Sequence, residues 1–286
     1  MSFAETALLG ALAGFTIYLG LPAGRLQLLG SRARVALAMF SVGILVFLLV
    51  DVLSHGFAIA ENAVTAYKDG TGSFTHALAL ALLLVGGFAS GSAGLGILER
   101  RMRPSSPAHP PIAGGATDTV ALADQAQLAA EASAARARAL QRSLIIAMAI
   151  GLHNFAEGLA IGVSAGTGEI GLATVLIIGF ALHNATEGFG IVGPLGDVRP
   201  SWRWLALVGL IGGGPTFLGA MVGYNVTSDP LELVFYAVAG GAILYVIGEI
   251  WHGMRRFGHR ELGLVLLACG FGVGVLTDLV VAYGGG

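Results

Sequence analysis

Charged residues are unusually few in this sequence. Only 11% of its 286 residues are Asp, Glu, Lys or Arg, whereas 55% are hydrophobic, and the mean hydropathy is +0.81. Soluble domains carry about a quarter charged residues, so this composition excludes a water-soluble globular protein. The net charge of −2 gives no indication of nucleic-acid binding, and no nucleic-acid partner is expected.

Cysteine is almost absent, since Cys269 is the only one in the chain. A single thiol excludes both a disulfide framework and a zinc cluster built from cysteines. We predict no prosthetic group.

Long hydrophobic stretches, in contrast, are abundant. Eight of them are each close to the roughly 20 residues that a helix needs to cross a bilayer, which predicts an all-α, multi-pass protein of the cell membrane. The predicted spans are 3–22, 35–60, 74–98, 143–166, 169–193, 202–225, 231–254 and 261–283. Because no basic residue precedes the first span, we expect it to be retained rather than cleaved as a signal peptide.

The basic residues predict the orientation of these spans. Fourteen of the fifteen Lys and Arg residues fall on one side of an eight-span arrangement, and Lys68 is the exception. By the positive-inside rule that side is cytoplasmic. Both termini are then expected on the extracytoplasmic side.

Four regions follow from this topology. They are 1–98 with helices 1–3, the cytoplasmic loop 99–142, 143–193 with helices 4–5, and 194–286 with helices 6–8. Within the loop, the stretch 104–118 is rich in Pro and Gly and is predicted to be disordered. The Ala-rich stretch 119–142 is predicted to form a helix that runs into span four.

A short motif occurs twice, once in span four and once in span five. The two copies are His153-Asn154-Phe155-Ala156-Glu157-Gly158 and His183-Asn184-Ala185-Thr186-Glu187-Gly188. Each copy places an imidazole and a carboxylate four residues apart, on one face of a helix. Such groups at membrane depth are costly unless they pair, face water or hold an ion.

The two copies are predicted to meet near the middle of the membrane. Spans four and five are antiparallel, and each motif histidine lies fifteen residues from the turn near Gly168. The predicted metal ligands are His153, Asn154, Glu157, His183, Asn184 and Glu187. Mixed nitrogen and oxygen donors suit zinc, ferrous iron, manganese, cobalt or cadmium better than calcium or magnesium, and they do not separate these metals from one another.

The main alternative is an intramembrane zinc protease or hydrolase. Such proteases carry His-Glu-x-x-His on one helix, and this string is absent from the sequence. The motif here offers ligands without an evident general base, so an enzyme is not predicted. A receptor or a structural membrane protein would leave the duplicated ligands unexplained.

The paired motif resembles helices four and five of the ZIP (Zrt/Irt-like) divalent metal transporters, where His-Asn-x-Pro-Glu-Gly is typical. The eight spans, their orientation and the long third loop are similar as well. The resemblance implies that a divalent metal is the transported substrate, carried into the cytoplasm by alternating access, and that the protein is a homodimer. It places His153, Glu157, His183 and Glu187 at a primary metal site, and the two motif asparagines with the same carboxylates at a second site.

Three positions depart from the family pattern. Ala156 and Thr186 replace the motif proline, so the local kink and the carbonyls that it frees are either lost or supplied in another way. Gly214 stands before Pro215 where many relatives have a glutamate, which favours one metal site over two. Leu45 occupies the helix-two position that can offer a methionine to the metal.

Other polar residues inside the spans leave their roles open. Asp51 and His55 lie one turn apart in span two, where they form either an auxiliary metal pathway or a structural pair. Glu249, near the cytoplasmic end of span seven, resembles acidic positions along the family's exit path. For Asp278 we expect a structural hydrogen bond.

Overall fold

The computed structural model describes residues 1–26, 30–102, 117–166, 168, 170–225 and 228–283. These residues form nine α-helices and no strand. The helices are α1 (Phe3–Phe15), α2 (Ala23–Leu26), α3 (Ser31–Lys68), α4 (Phe74–Met102), α5 (Thr117–Gly166), α6 (Ile170–Val192), α7 (Trp202–Gly223), α8 (Asp229–Met254) and α9 (Arg260–Tyr283). Short 3₁₀ turns occupy Thr16–Leu19, Gly193–Leu195 and Arg255–Phe257.

The predicted all-α membrane architecture is confirmed. Seven helical segments in the described part of the chain are long and apolar enough to cross a bilayer. The helix α6 has 23 residues, with Glu187 as its only charged residue, and supplies the eighth span. Each predicted span therefore coincides with a helix.

Two helices differ from their predicted spans. The helix α3 has 38 residues and continues to Lys68, about 57 Å in all, because the polar residues after position 60 leave the membrane without breaking the helix. The helix α1 ends at Phe15, and the rest of the first span continues as a 3₁₀ turn.

The helix α5 is the longest, with 50 residues from Thr117 to Gly166. It confirms the prediction that 119–142 is a helix running into span four. The predicted disordered stretch 104–118 lies outside the described residues as far as 116. At the other end of α5 the chain reverses through Gly168, whose φ of 88° is one that glycine adopts without strain.

Close backbone contacts hold α1, α5, α6 and α7 together as one group, which we call the motif bundle. A Cβ added to Gly14 of α1 would collide with the carbonyl of Gly213 in α7, and one on Gly219 of α7 with the carbonyl of Phe155 in α5. Small residues permit such approach between membrane helices.

We call the remaining long helices, α3, α4, α8 and α9, the second bundle, and similar backbone contacts join α3 to α9 and α4 to α8. A Cβ on Gly43 of α3 would collide with the carbonyl of Leu267 in α9, and one on Gly241 of α8 with the carbonyl of Phe88 in α4. Between these two pairs the glycines meet side chains, as Gly240 of α8 meets Leu53 of α3.

Contacts between the two bundles also involve side chains. The nearest atom to a Cβ on Gly190 of α6 is the Cδ1 of Ile250 in α8, at 3.2 Å, and for Gly193 it is the Cβ of Ala38, at 3.6 Å. No described glycine brings the backbones of the two bundles together. Side chains, rather than interlocked backbones, thus form this interface.

Candidate metal centre

The first motif lies in the C-terminal third of α5, near the middle of predicted span four, and its ligand side chains are buried. The side chains of His153 and Glu157 are 1% and 2% exposed, and their Nε2 and Oε1 atoms are 2.7 Å apart. The helical spacing of four residues produces this contact. An imidazole and a carboxylate thus face one another at membrane depth, as the sequence predicted.

The second motif lies in α6, where Asn184 and Glu187 are also buried, at 0% and 1% exposure. The backbone of His183 is helical, but its side chain is outside the described part of the structure. Among the described side chains there is no group of three or more His, Cys, Asp or Glu residues placed to hold a metal ion. The complete ligand set therefore stays a prediction.

The two motif asparagines are held in matching ways. Asn154 donates its Nδ2 to the carbonyl of Gly212 in α7, at 2.9 Å, and Asn184 donates its Nδ2 to the carbonyl of Ala13 in α1, at 3.2 Å. Each side chain is fully buried, and neither Oδ1 atom has a hydrogen-bond partner among the described residues. Because an unpaired buried oxygen is costly, these two oxygens are suited to a cation.

The glycine that closes each motif has a packing role. A Cβ on Gly158 would collide with the carbonyl of Thr216 in α7, and one on Gly188 with the carbonyl of Ile17 in the first 3₁₀ turn. The final glycine thus lets each motif helix approach its neighbour closely enough for the asparagine to reach a backbone carbonyl there.

A cavity of about 630 Å³ lies between the two bundles and extends to His153 and Glu157. His153, Glu157 and Thr186 line it at mid-helix, whereas Glu232 and Ala282 line it near the ends of α8 and α9. Those ends lie on the side predicted to be extracytoplasmic. The cavity therefore connects the buried imidazole and carboxylate of α5 with that side.

The auxiliary residues Asp51 and His55 also line this cavity, on α3. Their carboxylate and imidazole are 3.8 Å apart, and the His55 Nδ1 lies 3.0 Å from the carbonyl of Asp51. Asp278 lines the cavity from α9, with no hydrogen bond to the described residues, so the structural bond expected for it is not found there.

Sequence reasoning missed several residues of the cavity, among them Glu232 and Tyr236 of α8. The Tyr236 ring packs against that of His55, with the centroids 5.5 Å apart. Glu232 sits in the first turn of α8, where an acidic residue is common for helix stability alone. A single residue of this kind carries no signal in the sequence.

The opposite, predicted cytoplasmic, half of the interface is closed. Buried apolar side chains fill it, among them Ile146, Ile150, Val192, Leu195 and Ile250. Beyond them Glu249, the residue assigned to an exit path, pairs with Arg142 of α5, with Nε and Oε2 3.1 Å apart. Glu249 does not line the large cavity.

The departures from the family motif are accommodated without a break. Both α5 and α6 are continuous through Ala156 and Thr186, and the hydroxyl of Ser41 on α3 lies 2.9 Å from the carbonyl of Thr186. A Cβ on Gly214 would meet only Leu210 of its own helix. Leu45 is buried in the apolar core, at 1% exposure.

Comparison with known sequences agrees with this geometry. Residues 109–277, more than half of the chain, match the family described as ZIP zinc transporter. The chain belongs to the ZIP family. The match includes both copies of the motif, and ZIP proteins are transporters rather than enzymes.

Two characterised members are similar to this ZIP chain. It is 30% identical over 145 residues to the zinc transporter ZIPB of Bordetella bronchiseptica, which covers 49% of the chain and 46% of that protein. It is 32% identical over 142 residues to the zinc transporter GufA of Myxococcus xanthus, covering 48% of the chain and 55% of that protein. The chain thus spans about half the length of these relatives.

Proposed function

We propose that this protein carries divalent transition-metal ions, with zinc as the principal substrate, across the membrane into the cytoplasm. The binding site would be formed by His153, Asn154, Glu157, His183, Asn184 and Glu187. The observation that carries the proposal is the buried His153–Glu157 pair at the inner end of a cavity of about 630 Å³. The names of the two relatives support zinc, while iron, manganese and cadmium suit the same donors.

The charge of the site suits a divalent cation. Glu157 and Glu187 together offset two positive charges, which reduces the cost of removing the ion from water. The buried oxygens of Asn154 and Asn184 add neutral ligands. A substrate must also be released, so this set cannot be a permanently closed cage.

The packing supports alternating access as the mechanism. The motif bundle is interlocked by backbone contacts at its glycines, whereas the described glycines that face the second bundle meet only side chains there. The motif bundle can therefore move as a unit, and its sliding against the second bundle would close the cavity on one side and open the other. The family resemblance further implies a homodimer, which the mass of the purified protein in detergent tests.

The test is uptake of radioactive zinc by vesicles that contain the purified protein. His153→Ala and Glu157→Gln remove a ligand each and should lower uptake at least tenfold, since disturbing even the support of a metal ligand costs about 10- to 100-fold. His76→Ala is the matched control, because that histidine is exposed near the start of α4.

Unchanged uptake in His153→Ala would refute the proposed site. Competition by unlabelled iron, manganese and cadmium in the same assay ranks the substrates. If the purified protein instead hydrolysed a peptide in a metal-dependent way and carried no zinc, transport itself would be wrong.

A further inference from the structure

A second pocket, of about 350 Å³, lies at the predicted cytoplasmic ends of α3, α8 and α9. All three helices belong to the second bundle, so the pocket is separate from the metal centre. Met39 and Leu264 supply apolar surface, and Arg255, His259 and Arg260 supply cationic or polar groups. The pocket is therefore apolar towards the membrane and basic towards the cytoplasm.

The turn between α8 and α9 creates this arrangement. Gly258 has φ 71° and His259 has φ 56°, so two successive residues have a positive φ. Residues other than glycine seldom do so. The reversal brings Arg255, which precedes it, and Arg260, which follows it, to the same pocket.

The cationic groups of this pocket have no partner in the described part of the chain. Neither arginine side chain, nor that of His259, forms a hydrogen bond or an ion pair there. Two arginines elsewhere on that side are engaged: Arg25 donates to the carbonyl of Pro200 at 2.6 Å, and Arg34 pairs with Asp197 at 3.3 Å. The described residues that line the pocket include no Asp or Glu.

We propose that this pocket binds an anionic phospholipid of the cytoplasmic leaflet. The phosphate lies between Arg255 and Arg260, because guanidinium groups bind phosphate oxygens in a bidentate manner. The acyl chain lies on Met39 and Leu264. Basic pockets between helices on the cytoplasmic side suit anionic head groups, and a tryptophan is typical of that depth; Trp251 lines this pocket and is 37% exposed.

Orientation alone does not account for these features. Arginines at cytoplasmic helix ends set the topology wherever they stand, so Arg100 and Arg101 at the end of α4 serve that purpose on the same bundle. They do not line the pocket. Two arginines around a pocket with an apolar floor provide charge and shape complementary to a lipid.

Trp251 allows the binding to be measured without reference to metal flux. The chain has three tryptophans, and Trp202→Phe with Trp204→Phe leaves Trp251 as the only one. The protein is reconstituted in phosphatidylcholine vesicles that contain a small fraction of brominated phosphatidylglycerol or brominated phosphatidylcholine. Brominated phosphatidylglycerol should quench Trp251 more strongly at equal lipid fraction.

Substitutions then assign the preference to the pocket. Arg255→Gln with Arg260→Gln should weaken the preference for phosphatidylglycerol by about fivefold per arginine. Arg100→Gln with Arg101→Gln removes the same charge from the same side of the membrane. This double variant should leave the preference for phosphatidylglycerol unchanged.

Three results would overturn the proposal. Equal quenching by the two lipids would exclude a preference for the anionic lipid. This comparison uses the protein with intact arginines, so it holds even if the double variant fails to fold. Equal losses in the two double variants would assign the effect to general surface charge. Displacement of brominated phosphatidylglycerol by millimolar inorganic phosphate would identify the ligand as a soluble anion.

Discussion

The Nε of Arg142 lies 3.1 Å from the Oε2 of Glu249, and this ion pair joins the motif bundle to the second bundle. The two side chains are 34% and 21% exposed, at the end of the molecule opposite to the large cavity. Next to the pair, Tyr245 donates its hydroxyl to Glu99 at 2.9 Å, within the second bundle. Separation of the bundles at this end breaks the Arg142–Glu249 pair and leaves the Tyr245–Glu99 bond intact.

Removing this ion pair should therefore favour opening at the cytoplasmic end. In Glu249→Gln, with Cys269→Ser and a cysteine introduced at Ile146, we expect the new thiol to react faster with a cytoplasmic reagent. The pair is partly exposed, so the change in stability should stay within about 1 kcal/mol. Arg138→Gln is the control, since Arg138 is exposed one turn before Arg142. Equal labelling rates for Glu249→Gln and the control would show that the pair does not restrain the interface.

Gly158→Ala should destabilise the protein, because the added Cβ would collide with the carbonyl of Thr216. Overpacking of this kind costs about 1–3 kcal/mol. Gly214→Ala meets only Leu210, at 3.4 Å, and should be neutral or stabilising by up to about 1 kcal/mol. Thermal unfolding in detergent compares the two variants. Equal melting temperatures would contradict the close packing of α5 and α7.

Asn154→Ala should lower both stability and zinc affinity. It removes a buried hydrogen bond to Gly212, worth about 0.5–1.5 kcal/mol, together with an oxygen proposed as a ligand. The control is Asn225→Ala, which removes a comparable bond to the carbonyl of Met221, at 3.0 Å, from an exposed side chain. Calorimetric titration with zinc measures the affinities. A loss of stability with unchanged zinc affinity would leave Asn154 a purely structural role.

Zinc should stabilise the purified protein, and the effect should fade at acid pH. At a concentration 100 times its dissociation constant, a ligand of the folded state adds about 2.7 kcal/mol. A coordinating imidazole must be unprotonated, so protons compete with zinc and the stabilisation decreases as the pH is lowered. The melting temperature with and without zinc, measured across pH, tests this. Zinc should still raise the melting temperature of His76→Ala but not that of His153→Ala. If zinc also raised the melting temperature of His153→Ala, it would bind elsewhere.

The sequence predicted the helices well because hydropathy alone determines which segments cross a membrane. It also predicted that His153 and Glu157 would meet, since four residues make one helical turn. It did not predict that α3 would continue to Lys68. A polar segment signals the membrane boundary, but not whether the helix ends there.

Contacts between helices were beyond prediction from periodicity. The sequence placed Asn154 and Asn184 on a ligand face, but their bonds to Gly212 and Ala13 depend on which helices are neighbours. Glu232 reaches the cavity only because α8 packs beside α3. Which helices lie backbone to backbone likewise depends on which glycine meets which neighbour.

The helix α5 continues without interruption from Thr117 to Gly166, a rod of about 75 Å. His153 therefore shares one stiff element with residues that extend towards the predicted cytoplasmic side. In the proposed mechanism, a movement of the motif bundle along the membrane normal displaces that end by the same distance. A fluorescent probe attached near Gln127, far from the proposed site, would report this displacement.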